Sequence, residues 1–158
     1  MTAPVPAPRD FSDWQGLLDL ILLSFAYMER RIDPPSSAHR LTLDTLRQKA
    51  RDEHLYLSGG ASLTGCAFFA ERPGTLYVGK MAIHPDRQRT GLGRAFMVEA
   101  EALARRLGLT RLHLETRIEL TEVHEAYRRM GFVKTAEKAH PGFDRPTSIT
   151  MERTLPPL

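Results

Sequence analysis

Met81-Ala82-Ile83-His84-Pro85-Asp86-Arg87-Gln88-Arg89-Thr90-Gly91-Leu92-Gly93-Arg94 is the stretch on which the fold of this chain turns. An apolar strand runs into a short loop with two glycines, and the loop runs directly into a helix. The first turn of a helix carries backbone N–H groups without intrahelical partners, and its dipole favours negative charge there. Glycine at 91 and 93 removes side chains, so an anion can approach the main chain closely. Arg87, Arg89 and Arg94 add positive charge around the same point. The P-loop pattern Gly-x-x-x-x-Gly-Lys-Ser/Thr does not occur. The dinucleotide fingerprint Gly-x-Gly-x-x-Gly fails because position 96 is phenylalanine.

Outward from this stretch the pattern alternates between strand and helix. Upstream, Leu76 to Ile83 reads as a strand. Ser62 to Ala70 reads as another, and His54 to Ser58 reaches it through the hairpin signal Gly59-Gly60. Before these, Ser12-x-x-Gln15 has the form of a capping box. Trp14, Leu17, Leu18, Ile21, Leu22, Phe25 and Met28 follow it at helical spacing. Asp33-Pro34-Pro35 stops that helix, and a second runs from about Thr42 to Arg51. Downstream, Leu92, Phe96, Ala100, Leu103, Ala104 and Leu107 form one apolar helical stripe closed by Gly108. Arg111 to Thr116 alternates as a strand, Leu120 to Met130 is helical, and Phe132 to Glu137 and Ser148 to Thr154 are the last two strands. The sum is an α/β (α+β) layer architecture with a mixed sheet. Residues 1–9 are expected as a flexible proline-rich tail, 10–155 as a single domain and 156–158 as a short C-terminal tail.

The chain has 158 residues, enough for one core. Apolar residues are 42% and charged residues 26%, which argues against disorder of the whole chain. Net charge is +3 (22 basic, 19 acidic), compatible with a polyanionic ligand, whether nucleic acid or nucleotide cofactor. Nucleic acid is not expected, because aromatic residues are not interleaved with basic ones on a strand face. The single cysteine, Cys66, excludes an internal disulfide and lies in the apolar run Cys66-Ala67-Phe68-Phe69, which reads as core. The six histidines show no metal-ligand spacing, so no metal is expected. The most apolar run, Leu17 to Met28, is interrupted by Asp19 and too short to span a bilayer. With no signal peptide evident, the expected setting is cytoplasmic, without membrane contact.

Gln88-x-x-Gly91-x-Gly93 after a strand ending in Met81-Ala82-Ile83 resembles the pyrophosphate-binding motif of the GNAT superfamily of N-acetyltransferases. Ala126-Tyr127-Arg128-Arg129-Met130-Gly131-Phe132 is similar to the family's second signature, a helix and strand pair with Tyr-x-x-x-Gly-Phe. The resemblance covers roughly residues 61–137. It implies a mostly antiparallel central sheet flanked by helices, with a splayed fourth and fifth strand. It also implies acetyl-coenzyme A as the acyl donor, and a small-molecule amine or a peptide as acceptor. Transfer would occur by direct attack in a ternary complex, and homodimers occur among relatives. A non-catalytic acyl-CoA-binding module is the alternative reading.

Carried onto this sequence, the resemblance assigns the diphosphate to the amides of Arg89, Thr90, Gly91, Leu92, Gly93 and Arg94, with Gln88 at the loop entry. Met81, Ala82 and Ile83 would pair with the pantetheine arm and could polarise the thioester carbonyl. Tyr127 would serve the departing thiolate as proton donor. It also shares an apolar helical face with Leu120, Val123 and Met130, so a core role is the competing reading. The asparagine that many relatives carry about one turn earlier is missing, and Glu122-Val123-His124 stands there instead. Leu76 to Ile83 also lacks the glutamate base of peptide-lysine relatives. The acceptor would lie between the first helix pair and the last strands. Ser36, Ser37, Glu115, His140, Asp144 and Arg145 are candidates to line its pocket, although His140 to Pro146 could equally be a rigid surface turn.

Overall fold

The computed structural model describes residues 3–158. Helix α1 (Trp14–Phe25) is capped by Asp13, whose carboxylate accepts from the Gly16 amide at 3.0 Å. The start of the helix therefore lies one residue beyond the serine of the expected capping box; an ionised carboxylate is the stronger acceptor for a helix N-terminus. Helix α2 (Leu43–Asp52) begins at Thr42, which shares a reciprocal capping box with Thr45. A short 3-10 turn, Ser37–Arg40, stands before it.

The strands are β1 (Val5–Pro6), β2 (His54–Gly59), β3 (Leu63–Arg72), β4 (Thr75–Ile83), β5 (Arg111–Arg117), β6 (Val133–Lys138) and β7 (Ser148–Thr154). Helix α3 (Leu92–Arg106) connects β4 to β5, and α4 (Thr121–Arg129) leads from β5 towards β6. The seven strands form one sheet in the order β1-β2-β3-β4-β5-β7-β6. Every neighbouring pair is antiparallel except β4 and β5, whose connection through α3 makes them parallel. Residues 1 and 2 of the expected N-terminal tail lie outside the described residues; further along it the chain is tied to the sheet, where Val5 pairs with Leu57 and the Ala7 amide donates to Leu55 O at 2.9 Å.

Alternating strand residues feed two cores on opposite faces of the sheet. Ala67, Phe69, Leu76 and Val78 face α3, where Phe96, Met97, Ala100 and Leu103 close the layer. Cys66, Phe68 and Ala82 face α1 and α2, against Leu17, Ile21 and Leu46. Gly65 lets α3 approach: a Cβ there would stand 2.8 Å from both the Phe96 ring and Ser58 Oγ. Val78 and Ala82 lie on opposite faces although both are even-numbered, so the two-residue period breaks between them. The ladder shows how, because Phe68 pairs with Gly79 and Cys66 with Ala82, which leaves one extra residue on β4. Lys80 occupies this bulge with φ +45.

Candidate active site

Strand β4 is bonded to β3 along its whole length, from Arg72↔Thr75 to Gly65↔Ile83. Its other edge meets β5 only from Thr75↔Arg111 to Tyr77↔His113. Beyond Tyr77, β5 follows β7 as far as Arg117↔Ser148. The two strands therefore part, as the sequence reading anticipated, and open a cleft along the Val78–Ile83 edge. Tyr77, Val78, Gly79, Lys80 and Met81 line one wall of a cavity of about 370 Å³, and Leu114 to Arg117 line the other.

At the Ile83 end the chain makes a short turn, Pro85–Arg87, which His84 caps by accepting the Asp86 amide on Nδ1 at 3.1 Å. The Gln88 side chain donates back to Ile83 O at 3.4 Å. Helix α3 then starts from Gly91 in the left-handed region, φ +88, with no side-chain cap. A β-carbon at that φ is strained, which is why glycine stands at this corner. The first helical bond runs from the Ala95 amide to Gly91 O at 3.0 Å, so the Leu92, Gly93 and Arg94 amides precede the ladder. A Cβ placed at Gly91 or Gly93 would meet nothing within 4 Å. Packing therefore does not require either residue to be small.

Tyr127 lies on α4 and lines the cavity, its ring edge-on to Phe132 at 5.7 Å. Burial, with the neighbouring phenols Tyr27 and Tyr77 adding to it, pushes its pKa up to about 12. The hydroxyl therefore keeps its proton at neutral pH. The core contacts expected of Tyr127 and its exposure to the cavity coexist, because the ring leans on the α3-side core while its edge borders the cleft. His124 is committed elsewhere: its Nε2 bonds Arg117 O at 2.8 Å and fixes the turn from β5 into α4.

Ser36, Ser37, Glu115 and His140 all line the cavity. They come from the segment before α2, from β5 and from the loop before β7. Glu115 is paired with Lys138 at 2.7 Å. Thr147 Oγ1 is within bonding reach of His140 N, His140 Nδ1 and Lys138 O. If the hydroxyl donates to Lys138 O, it accepts from both His140 groups. Nδ1 then carries the ring proton and Nε2 keeps a lone pair. Burial, then nearby Arg117, lowers the His140 pKa and favours the neutral ring. Asp144 and Arg145 lie outside this cavity: Asp144 is exposed, and Arg145 pairs with Asp33 at 3.0 Å.

Three cations that the sequence did not single out also line the cavity: Lys49, Lys80 and Arg117. Arg117 donates to Pro34 O at 2.6 Å and Pro35 O at 2.9 Å, and the Asp33 amide donates to Glu119 at 3.0 Å. Together with the Arg145–Asp33 pair, these bonds fasten the loop before Ser36 onto β5 and its neighbours. Cys66 is wholly buried, and burial pushes its thiol up to about 12, so it offers no nucleophile. Among the described residues, no group of three or more His, Cys, Asp or Glu side chains could hold a metal ion, and no helix is long and apolar enough to cross a membrane.

Strands β4 and β5 thus part ahead of the uncapped start of α3, and Tyr127 borders the cavity between them. The sequence matches the model of the acetyltransferase (GNAT) family over residues 14–132, and the chain belongs to that family. No curated protein matches it. Among solved structures, the ribosomal-protein-S18-alanine N-acetyltransferase of Escherichia coli superposes with a TM-score of 0.70 at 19% identity, over 98% of this chain and 94% of that one. A GNAT acetyltransferase from Staphylococcus aureus gives 0.75 at 13% identity, over 99% and 100%. One from Elizabethkingia anophelis, solved with acetyl-CoA bound, gives 0.68 at 18% identity, over 96% and 97%.

Proposed function

We propose that this protein transfers an acetyl group from acetyl-coenzyme A to a primary amine of a small molecule or peptide, by direct attack in a ternary complex. The observation that carries the reading is the parting of β4 and β5 directly beside the uncapped, glycine-bearing start of α3. Family membership and the acetyl-CoA held by the Elizabethkingia relative support it.

The residues fit that cofactor. Amides at the start of α3, from Leu92 to Arg94, would hold the diphosphate, with Arg89, Thr90 and Gly91 leading into them and Gln88 at the loop entry. The free edge of β4 at Met81 to Ile83 would hold the pantetheine arm. When bound, acetyl-coenzyme A supplies an activated thioester. The acceptor amine forms the new C–N bond as the C–S bond breaks. Tyr127 Oη, protonated at neutral pH, would give its proton to the departing sulfur and regain one from solvent, which in the end takes up the proton that the amine releases. His140 lines the same cavity, and with the Thr147 hydroxyl donating to Lys138 O its Nε2 would keep a lone pair; it is our choice to accept the amine proton, directly or through water. Cys66 lies too deep to carry an acyl group, in keeping with direct transfer.

The test is free-thiol release from acetyl-coenzyme A across a panel of amines and peptides. Tyr127→Phe should lower kcat by roughly a hundredfold while calorimetric binding of coenzyme A persists. Unchanged turnover in that variant would remove Tyr127 from the mechanism. Binding without turnover of any amine would favour a non-catalytic acyl-CoA-binding module.

A further inference from the structure

The acceptor end of the cavity has an unbalanced charge. Lys49, Lys80 and Arg117 line it against one carboxylate, Glu115, which already pairs with Lys138 at 2.7 Å. Lys49 has its own partner, Glu53, at 2.7 Å. Arg117 gives hydrogen bonds to two backbone carbonyls, with the carboxylates of Glu119 and Asp33 near its charge but outside the cavity lining, and other donors of its guanidinium are uncommitted. Lys80 is the extreme case. Its backbone sits in the left-handed region, φ +45, at the bulge that turns its side chain from the sheet into the cavity. Among the described residues its ammonium bonds only a neutral hydroxyl, that of Ser37.

A half-buried ammonium beside other cations and without a counter-ion is costly. Its pKa is lowered to about 8 by burial and then by Lys49, Arg40 and Arg117. A bulge, a strained φ and an unpaired charge at one residue are costs that a protein commonly carries where a ligand compensates them. An anion held by Lys80 and the Ser37 hydroxyl, in the cavity that Arg117 also lines, would balance this wall.

From this charge pattern we infer that the acceptor is a primary amine carrying an anionic group, a carboxylate or a phosphate, and that Lys80 is the residue that selects it. The inference rests on the acetyl-transfer reading and names the substrate class for it. The cationic wall has a second effect on the same molecule. It disfavours the ammonium form of the acceptor, so the amine sheds its proton more readily before attack.

Matched amines test this: glycine against glycinamide, L-phenylalanine against L-phenylalaninamide, and O-phosphoethanolamine against ethanolamine. Each is assayed by thiol release with acetyl-coenzyme A and by calorimetric binding to the protein loaded with coenzyme A. The anionic member of at least one pair should have at least a tenfold higher kcat/KM, with the difference lying in KM, and should bind more tightly. The first two pairs report on carboxylates and the third on phosphates. In Lys80→Met the ratio within the preferred pair should fall towards one, and Lys80→Arg should restore part of it. Equal use of both members, preference for the neutral one, or an undiminished ratio in Lys80→Met would overturn the inference and leave acetyl transfer standing. Tight binding of coenzyme A without turnover or binding of any anionic amine would also overturn it. Failure to bind coenzyme A would overturn the acetyl-transfer reading itself.

Discussion

Lys80 brings a third positive charge to a wall that already holds Lys49 and Arg117. The folded chain depresses its pKa from 10.5 to about 8, so folding penalises the charged form. That penalty is complete below pH 8 and is relieved as the pH rises towards 10.5, the opposite of a lysine stabilised by an acid. Removing the charge should therefore strengthen the free protein. Lys80→Met is expected to gain about 1–2 kcal/mol in urea unfolding at pH 7, after discounting the shift for partial exposure. The gain should shrink as the pH approaches 10, and a loss of stability at pH 7 would mean that the ammonium has a compensating partner in the free protein. The same titration bears on ligand binding. N-acetylglycine, a model product with a carboxylate and no amine, should bind with constant Kd below pH 8 and progressively more weakly above it. Calorimetry across pH 6.5–9.5 checks this, and a flat profile would exclude Lys80 as the anion contact.

At the level of elements, the start of α3 offers a substitution whose two effects have opposite signs. Gly93 sits in the first helical turn with open space where its Cβ would be. Glutamate there gains about 0.5–1 kcal/mol of helix propensity and a favourable place at the positive end of the dipole. The same carboxylate would occupy the position we propose for the diphosphate. Gly93→Glu should thus melt at or above the parent temperature, yet bind coenzyme A at least about a hundredfold more weakly, because opposed like charges cost several kcal/mol. Normal affinity in a folded Gly93→Glu would move the diphosphate elsewhere. This turn was legible in the sequence because glycine spacing, a strand before and an apolar stripe after all point to one local geometry. The bulge on β4 was not. Simple alternation through Leu76, Val78, Lys80 and Ala82 assigns all four to one face, and only Gly79 inside the strand hints at the extra residue. The lining of the cavity was legible in part. Ser36, Ser37, Glu115 and His140 do converge, whereas Arg145 finds Asp33, 112 positions away along the chain, a pairing that no local pattern encodes.

At the scale of the whole molecule, the sheet consists of two blocks whose strands meet along a short seam, while Asp33 to Pro35 bridge them on one side through Arg117, Glu119 and Arg145. One block is β1 to β4 with α1 and α2, and the other is β5 to β7 with α4. Among the described residues the two blocks share three parallel pairs, Thr75↔Arg111 to Tyr77↔His113, with α3 packed behind the seam against β3, β4 and β5. A ligand lying in the opening beyond Tyr77 touches both blocks and exists only for the folded chain, so it must stabilise the fold by mass action. At one hundred times Kd the gain is about 2.7 kcal/mol, which for a domain of this size raises the melting temperature by about 5–11 °C. Differential scanning fluorimetry with coenzyme A should show that shift in the parent protein and almost none in Gly93→Glu. Pantetheine at the same concentration, which fills the opening but lacks the diphosphate, should give only a small part of it. If pantetheine matched coenzyme A, the amides at the head of α3 would contribute nothing to recognition. If neither ligand moved the transition of a well-folded sample, the opening between β4 and β5 would not be the coenzyme's place.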